Sequence, residues 1–417
     1  MSFFEITGRR RLSGSIVAHG AKNSVLPILA ACVLAPGESV IENCPGLSDV
    51  AATVEILRGL GCRVSRDGDV VTVDAACVQG GDIPEHLMRE MRSSVIFLGA
   101  VLGRVGRAQM CYPGGCELGP RPIDLHLDAL RKLGAEIREE DGVLHCRVPD
   151  RLRGCRLALP FPSVGATENA MLAACTAQGV TTITGAACEP EIEDLQAFLN
   201  ELGARIHGAG TPVVTVEGVQ TLHPARYRVM GDRIVAATYL AAVAAAGGEA
   251  EVTGVEPRHM DTVLAVLDQA GCRLDCEGQR VRICSPGRLH GVRPVRTAPY
   301  PGFPTDAQAV IMAALAGGDG TTVFEENIFQ SRYRHVSELA RMGADIRLTG
   351  RTAIVTGAPL HGAHVCSTDL RGGAALVVAA LAAEGTSRVG ELHHIDRGYD
   401  HLEHALTQLG AQIERIN

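Results

Sequence analysis

Lys132-Leu133-Gly134-Ala135-Glu136-Ile137 is one of six copies of a single phrase in this 417-residue chain. It returns as Gly59-Leu60-Gly61-Cys62-Arg63-Val64, Glu201-Leu202-Gly203-Ala204-Arg205-Ile206 and Gln269-Ala270-Gly271-Cys272-Arg273-Leu274. The last copies are Arg341-Met342-Gly343-Ala344-Asp345-Ile346 and Gln408-Leu409-Gly410-Ala411-Gln412-Ile413. The central glycines stand 67 to 73 residues apart. Self-similarity at a fixed period outranks any local reading, because it sets the architecture. In each copy an apolar helical run ends at the glycine, the residue best suited to close a helix. A strand, a turn and a second strand follow. The stretch from Arg63 to Val73 shows this, with Asp67-Gly68 as a hairpin signal between two β-prone runs.

A second phrase alternates with the first: an alanine-rich helix, a glycine and a strand. Ala166 to Cys175 followed by Gly179 to Gly185 is one copy. Ala307 to Ala316 before Gly320-Thr321-Thr322-Val323-Phe324, and Gly373 to Ala383 before Gly385 to Val389, are two more. Alanine is the strongest helix former, and its small side chain lets helices approach closely. The repeating unit is thus about two helices and four strands. Six units are too many for one sheet, so the spacing predicts three per domain, in two α/β domains with helices inside and sheets outside. An open array is the alternative, but solenoid units are usually shorter.

Composition narrows the function. The chain is too long for one ordinary core, which fits two domains. Hydrophobic residues make up 46% and aromatics 3%, with no Trp, so the core must be aliphatic. A net charge of −8 argues against nucleic acid as a partner, since binding phosphate backbones by charge needs a basic face. Fourteen cysteines are dispersed singly and form no CxxC pair, which speaks against a zinc site. Met1-Ser2-Phe3-Phe4-Glu5-Ile6 has no basic region leading into an apolar run, and no long uncharged apolar stretch follows. These features predict a cytoplasmic protein with reduced thiols, no membrane insertion, and thirteen of the cysteines as core fillers.

Five short stretches carry the chemistry. Tyr112-Pro113-Gly114-Gly115-Cys116-Glu117-Leu118-Gly119-Pro120-Arg121 puts one thiol on a glycine-rich loop near an arginine, which favours a reactive thiolate; the alternative is a tight surface turn. Gly20-Ala21-Lys22-Asn23-Ser24 places a lysine at a helix start. That is unfavourable unless an anion binds there, unless the lysine is solvated in a loop and Asn23 is the cap. Pro162 to Asn169 reads as a helix entry whose free N–H groups suit a phosphate, or as an ordinary cap with an internal carboxylate, Glu168. Phe303-Pro304-Thr305-Asp306-Ala307 and Thr368-Asp369-Leu370-Arg371-Gly372 place carboxylates at helix starts, where Asp is a good cap. Arg371 there would anchor an anion or form a salt bridge. His394-Ile395-Asp396-Arg397-Gly398-Tyr399 offers Arg397 for bidentate capture of a carboxylate or phosphate.

In this order and spacing these stretches resemble the enolpyruvyl transferase family, in particular its UDP-N-acetylglucosamine 1-carboxyvinyltransferases, over essentially the whole chain. The Cys116 loop and the Arg397 stretch are the most specific. The resemblance implies a two-domain inside-out α/β barrel of six βαβαββ units, three per domain. One domain would run 22–230 and carry the cysteine loop. The other would join 1–21 to 231–417, with the active site in the cleft between them. It implies transfer of the enolpyruvyl group of phosphoenolpyruvate to the 3′-hydroxyl of UDP-N-acetylglucosamine, with release of phosphate, at the first committed step of peptidoglycan synthesis. The implied partners are those two substrates; no cofactor and no metal are expected, and the oligomeric state is open. In the implied roles Asp306 is the base and Cys116 the acid, a thiol also open to alkylation by fosfomycin. Lys22, Arg121 and Arg397 neutralise the donor, with Arg92 and Arg371 as supporting cations. Asn23 and Asp306 hold the sugar, and Ser163, Val164, Gly165 and Ile328 line the nucleotide. Glu189, Glu191 and Arg332 also fall at matching positions. Phe161 departs from the pattern, standing where some members carry a lysine facing the diphosphate. Two rivals remain: the sister enzyme acting on shikimate 3-phosphate, which lacks the cysteine loop, and a non-catalytic paralogue that binds UDP-sugars.

Overall fold

The six repeat glycines all adopt the left-handed conformation, with φ between 88° at Gly410 and 105° at Gly134. A Cβ is disfavoured there, so glycine ends each helix and turns the chain into its next strand. The computed structural model in which they are seen describes residues 2–83, 85–90, 92–112 and 123–417, with backbone alone for 89, 90 and 92. The hairpin expected at Asp67-Gly68 forms, pairing Asp67 with Val70 and Arg63 with Asp74.

Six four-stranded sheets result among the described residues, and they share one strand order. Arg156–Ala158 lies parallel to Val180–Thr184, which pairs antiparallel with Val213–Glu217, which pairs in turn with Arg205–His207. Three sheets borrow a strand from far away in sequence. Phe3–Thr7 lies between Thr386–Gly390 and Gln412–Ile416. Leu12–Val17 runs parallel to Gly248–Thr253, and Arg226–Arg228 runs parallel to Glu38–Glu42. The two N-terminal strands therefore complete sheets of the C-terminal half.

Among the described residues the chain divides into two units, one of 2–19 and 231–417, the other of 20–112 and 123–230. Each has three sheets and its own hydrophobic core. In the first, helices Arg233–Ala246, Thr305–Ala316 and Leu370–Ala382 pack on one another and are buried almost all round. In the second, Lys22–Ala31, Phe97–Val105 and Val164–Ala174 hold the same inner place. A helix buried on every side must be apolar on every side, and small residues keep these close together. The remaining long helices, such as Ser48–Gly59 and Pro190–Glu201, bury one face and expose the other.

The chain passes from one unit to the other at 19/20 and returns at 230/231. Ala21 N–H donates to Met230 O at 2.8 Å in one unit, and Asp232 N–H to His19 O at 2.8 Å in the other. A Cβ on Gly20 or Gly231 would stand 1.8 Å from a carbonyl oxygen, so only glycine fits either passage.

The cysteine expectation needs correcting. Cys32, Cys44, Cys62, Cys146, Cys175 and Cys272 are buried, but Cys77, Cys276 and Cys366 are exposed and four others are half-buried. The exposed three stand in loops or on outer strand faces, where no core reaches them. No helix of the described residues is long and apolar enough to cross a membrane.

Candidate active site

In the unit of 20–112 and 123–230, the residues singled out by sequence gather at the starts of inner helices. Lys22 opens helix Lys22–Ala31, whose N-cap is Ala21. It is neither solvated nor in a loop: its side chain is 9% exposed, and Nζ lies 2.7 Å from Asp49 Oδ2. Asp49 is itself buried, in the first turn of the outer helix Ser48–Gly59. Asn23 is not the cap; it stands in the helix with its side chain exposed. Ser24 donates its hydroxyl to Asp194, a buried carboxylate of helix Pro190–Glu201. Burial raises the Asp194 pKa despite the hydrogen bonds it accepts.

Ser163 caps helix Val164–Ala174, accepting the Ala166 N–H at 3.4 Å. Val164 and Gly165 form the first turn, with the His126 ring packed so close that a Cβ on Gly165 would stand 2.8 Å from Cε1. Asn169 fixes that ring. Its Oδ1 accepts Gly99 N–H at 2.7 Å, and its Nδ2 donates to Val95 O at 2.9 Å and to His126 Nδ1 at 2.8 Å. His126 Nδ1 is therefore an acceptor, which leaves the ring neutral with its proton on Nε2. Glu168, one turn into the helix, is pushed up to about 8 by burial, with Glu191 and Glu189 adding to the shift. It carries its proton at neutral pH. Phe161 is 46% exposed. Cys116 and Arg121 lie outside the described residues, and of Arg92 only the backbone is described, at the start of the 3₁₀ turn Arg92–Ile96.

The unit of 2–19 and 231–417 is built differently. Asp306 lies in the first turn of helix Thr305–Ala316 but does not cap it; the N-cap is Pro304. Its carboxylate is instead held between two guanidiniums. Arg332 Nη2 donates to Oδ1 at 2.9 Å, and Arg371 donates to Oδ2 from Nη2 at 3.1 Å and from Nε at 3.4 Å. Both arginine side chains are at most 3% exposed, while Asp306 is 28% exposed. The clamp fixes the plane of the carboxylate while part of its surface stays exposed. Arg371 also lies over the Tyr399 ring, 5.4 Å from its centroid, and Tyr399 Oη meets Thr238 Oγ1 at 2.9 Å.

The supports around this pair come from three directions. Asp369 caps helix Leu370–Ala382, accepting the Arg371 and Gly372 N–H groups at 3.0 Å each. Glu326 is buried; it accepts Thr305 Oγ1 at 2.9 Å and the Ile328 N–H at 2.8 Å, which sets the loop carrying Ile328. His335 is fully buried, and burial pushes its ring down to about 4 against the opposing pull of Asp369, with Arg332 adding to the fall. Arg397 ends the 3₁₀ turn Leu392–Arg397 and is half-buried.

The structure places Lys22, Asp306, Arg371 and Ser163 at helix starts, where the sequence put them, and adds what fixes them there. Asp49 and Asp194 read as ordinary acidic residues near the starts of amphipathic helices. Glu326 and His335 sit in a loop and a turn without any local motif. Arg332 had only its position to recommend it.

The chain matches the EPSP synthase (3-phosphoshikimate 1-carboxyvinyltransferase) family over residues 6–406. It is 50% identical, over all of both chains, to UDP-N-acetylglucosamine 1-carboxyvinyltransferase 2 of Caldanaerobacter subterraneus subsp. tengcongensis. It is 49% identical to UDP-N-acetylglucosamine 1-carboxyvinyltransferase 1 of Symbiobacterium thermophilum, over 99% of this chain and 95% of that one. The crystal structure of the enolpyruvyl transferase NikO from Streptomyces tendae superposes with a TM-score of 0.90 at 27% identity, covering 99% of this chain and 98% of the other. The chain belongs to the EPSP synthase family of enolpyruvyl transferases, and the two relatives that share about half of its residues over nearly their full length are UDP-N-acetylglucosamine 1-carboxyvinyltransferases.

Proposed function

We propose that the protein transfers the enolpyruvyl group of phosphoenolpyruvate to the 3′-hydroxyl of UDP-N-acetylglucosamine and releases phosphate. The observation that carries this reading is Asp306, a carboxylate clamped by two buried arginines yet still open to solvent on one side. A base for a sugar hydroxyl has to be fixed and reachable, and the clamped, partly exposed Asp306 is both.

The steps follow from the bonds that must change. The 3′-hydroxyl gives its proton to Asp306 while its oxygen bonds to C2 of phosphoenolpyruvate. The Cys116 thiol protonates C3, which gives a tetrahedral intermediate. Loss of a C3 proton and cleavage of the C2–O bond to phosphate then form the enol ether. Positioned acid and base groups typically contribute ~10²–10⁴-fold each. Lys22, Arg121 and Arg397 neutralise the phosphate and carboxylate of the donor. Arg92 is a supporting cation. Arg371 acts mainly by holding Asp306. Asn23, exposed at the start of its helix, and the turn Ser163-Val164-Gly165 hold the acceptor with Ile328. The half-exposed Phe161 in place of a lysine leaves the diphosphate to backbone N–H groups at the start of helix Val164–Ala174, a favourable place for an anion.

The test is phosphate release from phosphoenolpyruvate with either UDP-N-acetylglucosamine or shikimate 3-phosphate as acceptor. Release with the sugar nucleotide alone is expected. Release with shikimate 3-phosphate alone would transfer the protein to the sister activity. Binding of the sugar nucleotide without release would make it a non-catalytic relative.

A further inference from the structure

Lys22 is one of only two lysines in the chain, whose other 37 basic side chains are arginines. The second, Lys132, is exposed at the end of the outer helix Asp124–Lys132. An ammonium at a helix start faces the positive end of the helix dipole, so other groups must impose its position. Asp49 does this at the tip of the side chain, 2.7 Å from Nζ.

The backbone end is fixed from another outer helix. Asp194 Oδ2 accepts the hydroxyl of Ser24, two residues after Lys22 in the same helical turn. The same carboxylate accepts the Tyr227 hydroxyl on Oδ1 at 2.6 Å and the Met230 N–H on Oδ2 at 3.3 Å. Its donors therefore come from the two segments where the chain enters and leaves this unit, which are also joined by the Ala21–Met230 bond. A carboxylate buried to this degree is costly unless its hydrogen bonds are satisfied. Here its donors come from the turn that carries Lys22 and from the segment 227–230, which Ala21 bonds at Met230.

We infer that Asp194 is a positioning residue for Lys22: through Ser24 it sets the first turn of helix Lys22–Ala31, and with it the point from which the ammonium meets the donor's phosphate. Asp49 holds the tip and Asp194 holds the base of one side chain. The inference rests on the reading of Lys22 as a phosphate ligand given above.

The scarcity of lysine makes a direct test practical. Lysine labelled with ¹³C in its side chain gives signals from two residues, and Lys132 serves as the internal reference. In Asp194→Asn and in Ser24→Ala the Lys22 signal should move and the Lys132 signal should stay. The KM for phosphoenolpyruvate should rise by about tenfold, the scale of one lost hydrogen bond, while that for UDP-N-acetylglucosamine stays within about twofold. A lowered melting temperature with an unmoved Lys22 signal and an unchanged KM for phosphoenolpyruvate would overturn the inference and leave Asp194 a packing residue. If Asp194→Asn does not fold, Ser24→Ala decides, because it deletes only the bond that reaches Lys22's turn. The NMR signal needs no turnover. A shifted Lys22 in a protein that transfers nothing would therefore support the positioning role and contradict the functional reading instead.

Discussion

The two units share one plan and differ in what stands at the starts of their inner helices. In the unit of 20–112 and 123–230 the described charge is dispersed: Lys22 with Asp49 at its tip and Asp194 near its base, a neutral His126, and Glu168, whose protonated form burial favours. In the unit of 2–19 and 231–417 charge is concentrated: Asp306 lies between Arg332 and Arg371, with Asp369 and Glu326 bracing the loops around them. The same triple arrangement of helices and sheets thus supports two kinds of polar end. One presents a single buried ammonium at Lys22, the other a carboxylate held still at Asp306. Fold and function separate along that line, since function resides in the groups grafted onto the fold.

The largest expected effect probes the base. Asp306→Asn keeps the shape of the clamp but cannot take a proton, so kcat for phosphate release should fall by ~10²–10⁴. Steady-state assays beside the parent enzyme measure it. A loss under about tenfold would move the base elsewhere.

That prediction starts from a residue legible in the sequence, and the reason it is legible is instructive. Asp306, Lys22 and Ser163 stand at helix starts, and helix starts are marked by turn residues and by a change of period. The six glycines were legible for the same reason: a backbone demand for positive φ leaves a residue-specific trace. Asp49, Asp194 and His335 left none. The partners of Asp49 and Asp194 lie on other elements, 27 residues away for Asp49 and Lys22 and 170 for Asp194 and Ser24. One sequence does not record which buried side chains will meet. Asp306 itself was first open to reading as a cap, and its true partners come from positions 332 and 371.

The next effect concerns stability. Arg371→Met removes one of the two guanidiniums on Asp306 while Arg332 still pairs the carboxylate, so it should cost about 1.5–3 kcal/mol, the scale of a lost hydrogen bond to a charged group. Urea unfolding measures it. A cost below about 1 kcal/mol would mean that Asp306 is held by Arg332 alone.

pH should separate the units, because their buried titrating groups shift in opposite senses. Glu168 is raised from its ordinary 4.5 to about 8. The folded state then keeps a proton that the unfolded chain gives up, so its contribution is full below 4.5 and is lost as pH rises through 8. His335 is lowered from 6.5 to about 4. Its contribution is full above 6.5 and is lost as pH falls toward 4. Melting temperatures recorded from pH 4 to 8.5 should lose their alkaline decline in Glu168→Gln and part of their acid decline in His335→Asn. Unchanged slopes in both would break the contrast drawn between the units.

The smallest effect serves as the baseline. Arg205 and Glu217 pair across an outer sheet edge with both side chains more than half exposed. Arg205→Ala should change stability by no more than about 1 kcal/mol. A larger loss would show that the outer sheets matter more than the clamp comparison assumes.

The most direct test of the division of labour is calorimetric titration of phosphoenolpyruvate into the UDP-N-acetylglucosamine complexes of Lys22→Ala and Asp306→Asn, side by side. If Lys22 anchors the donor and Asp306 supplies the base, Asp306→Asn will bind phosphoenolpyruvate and fail to turn it over, while Lys22→Ala will lose most of its donor affinity. Equal losses of donor binding in the two variants, or donor affinity intact in Lys22→Ala, would contradict the account.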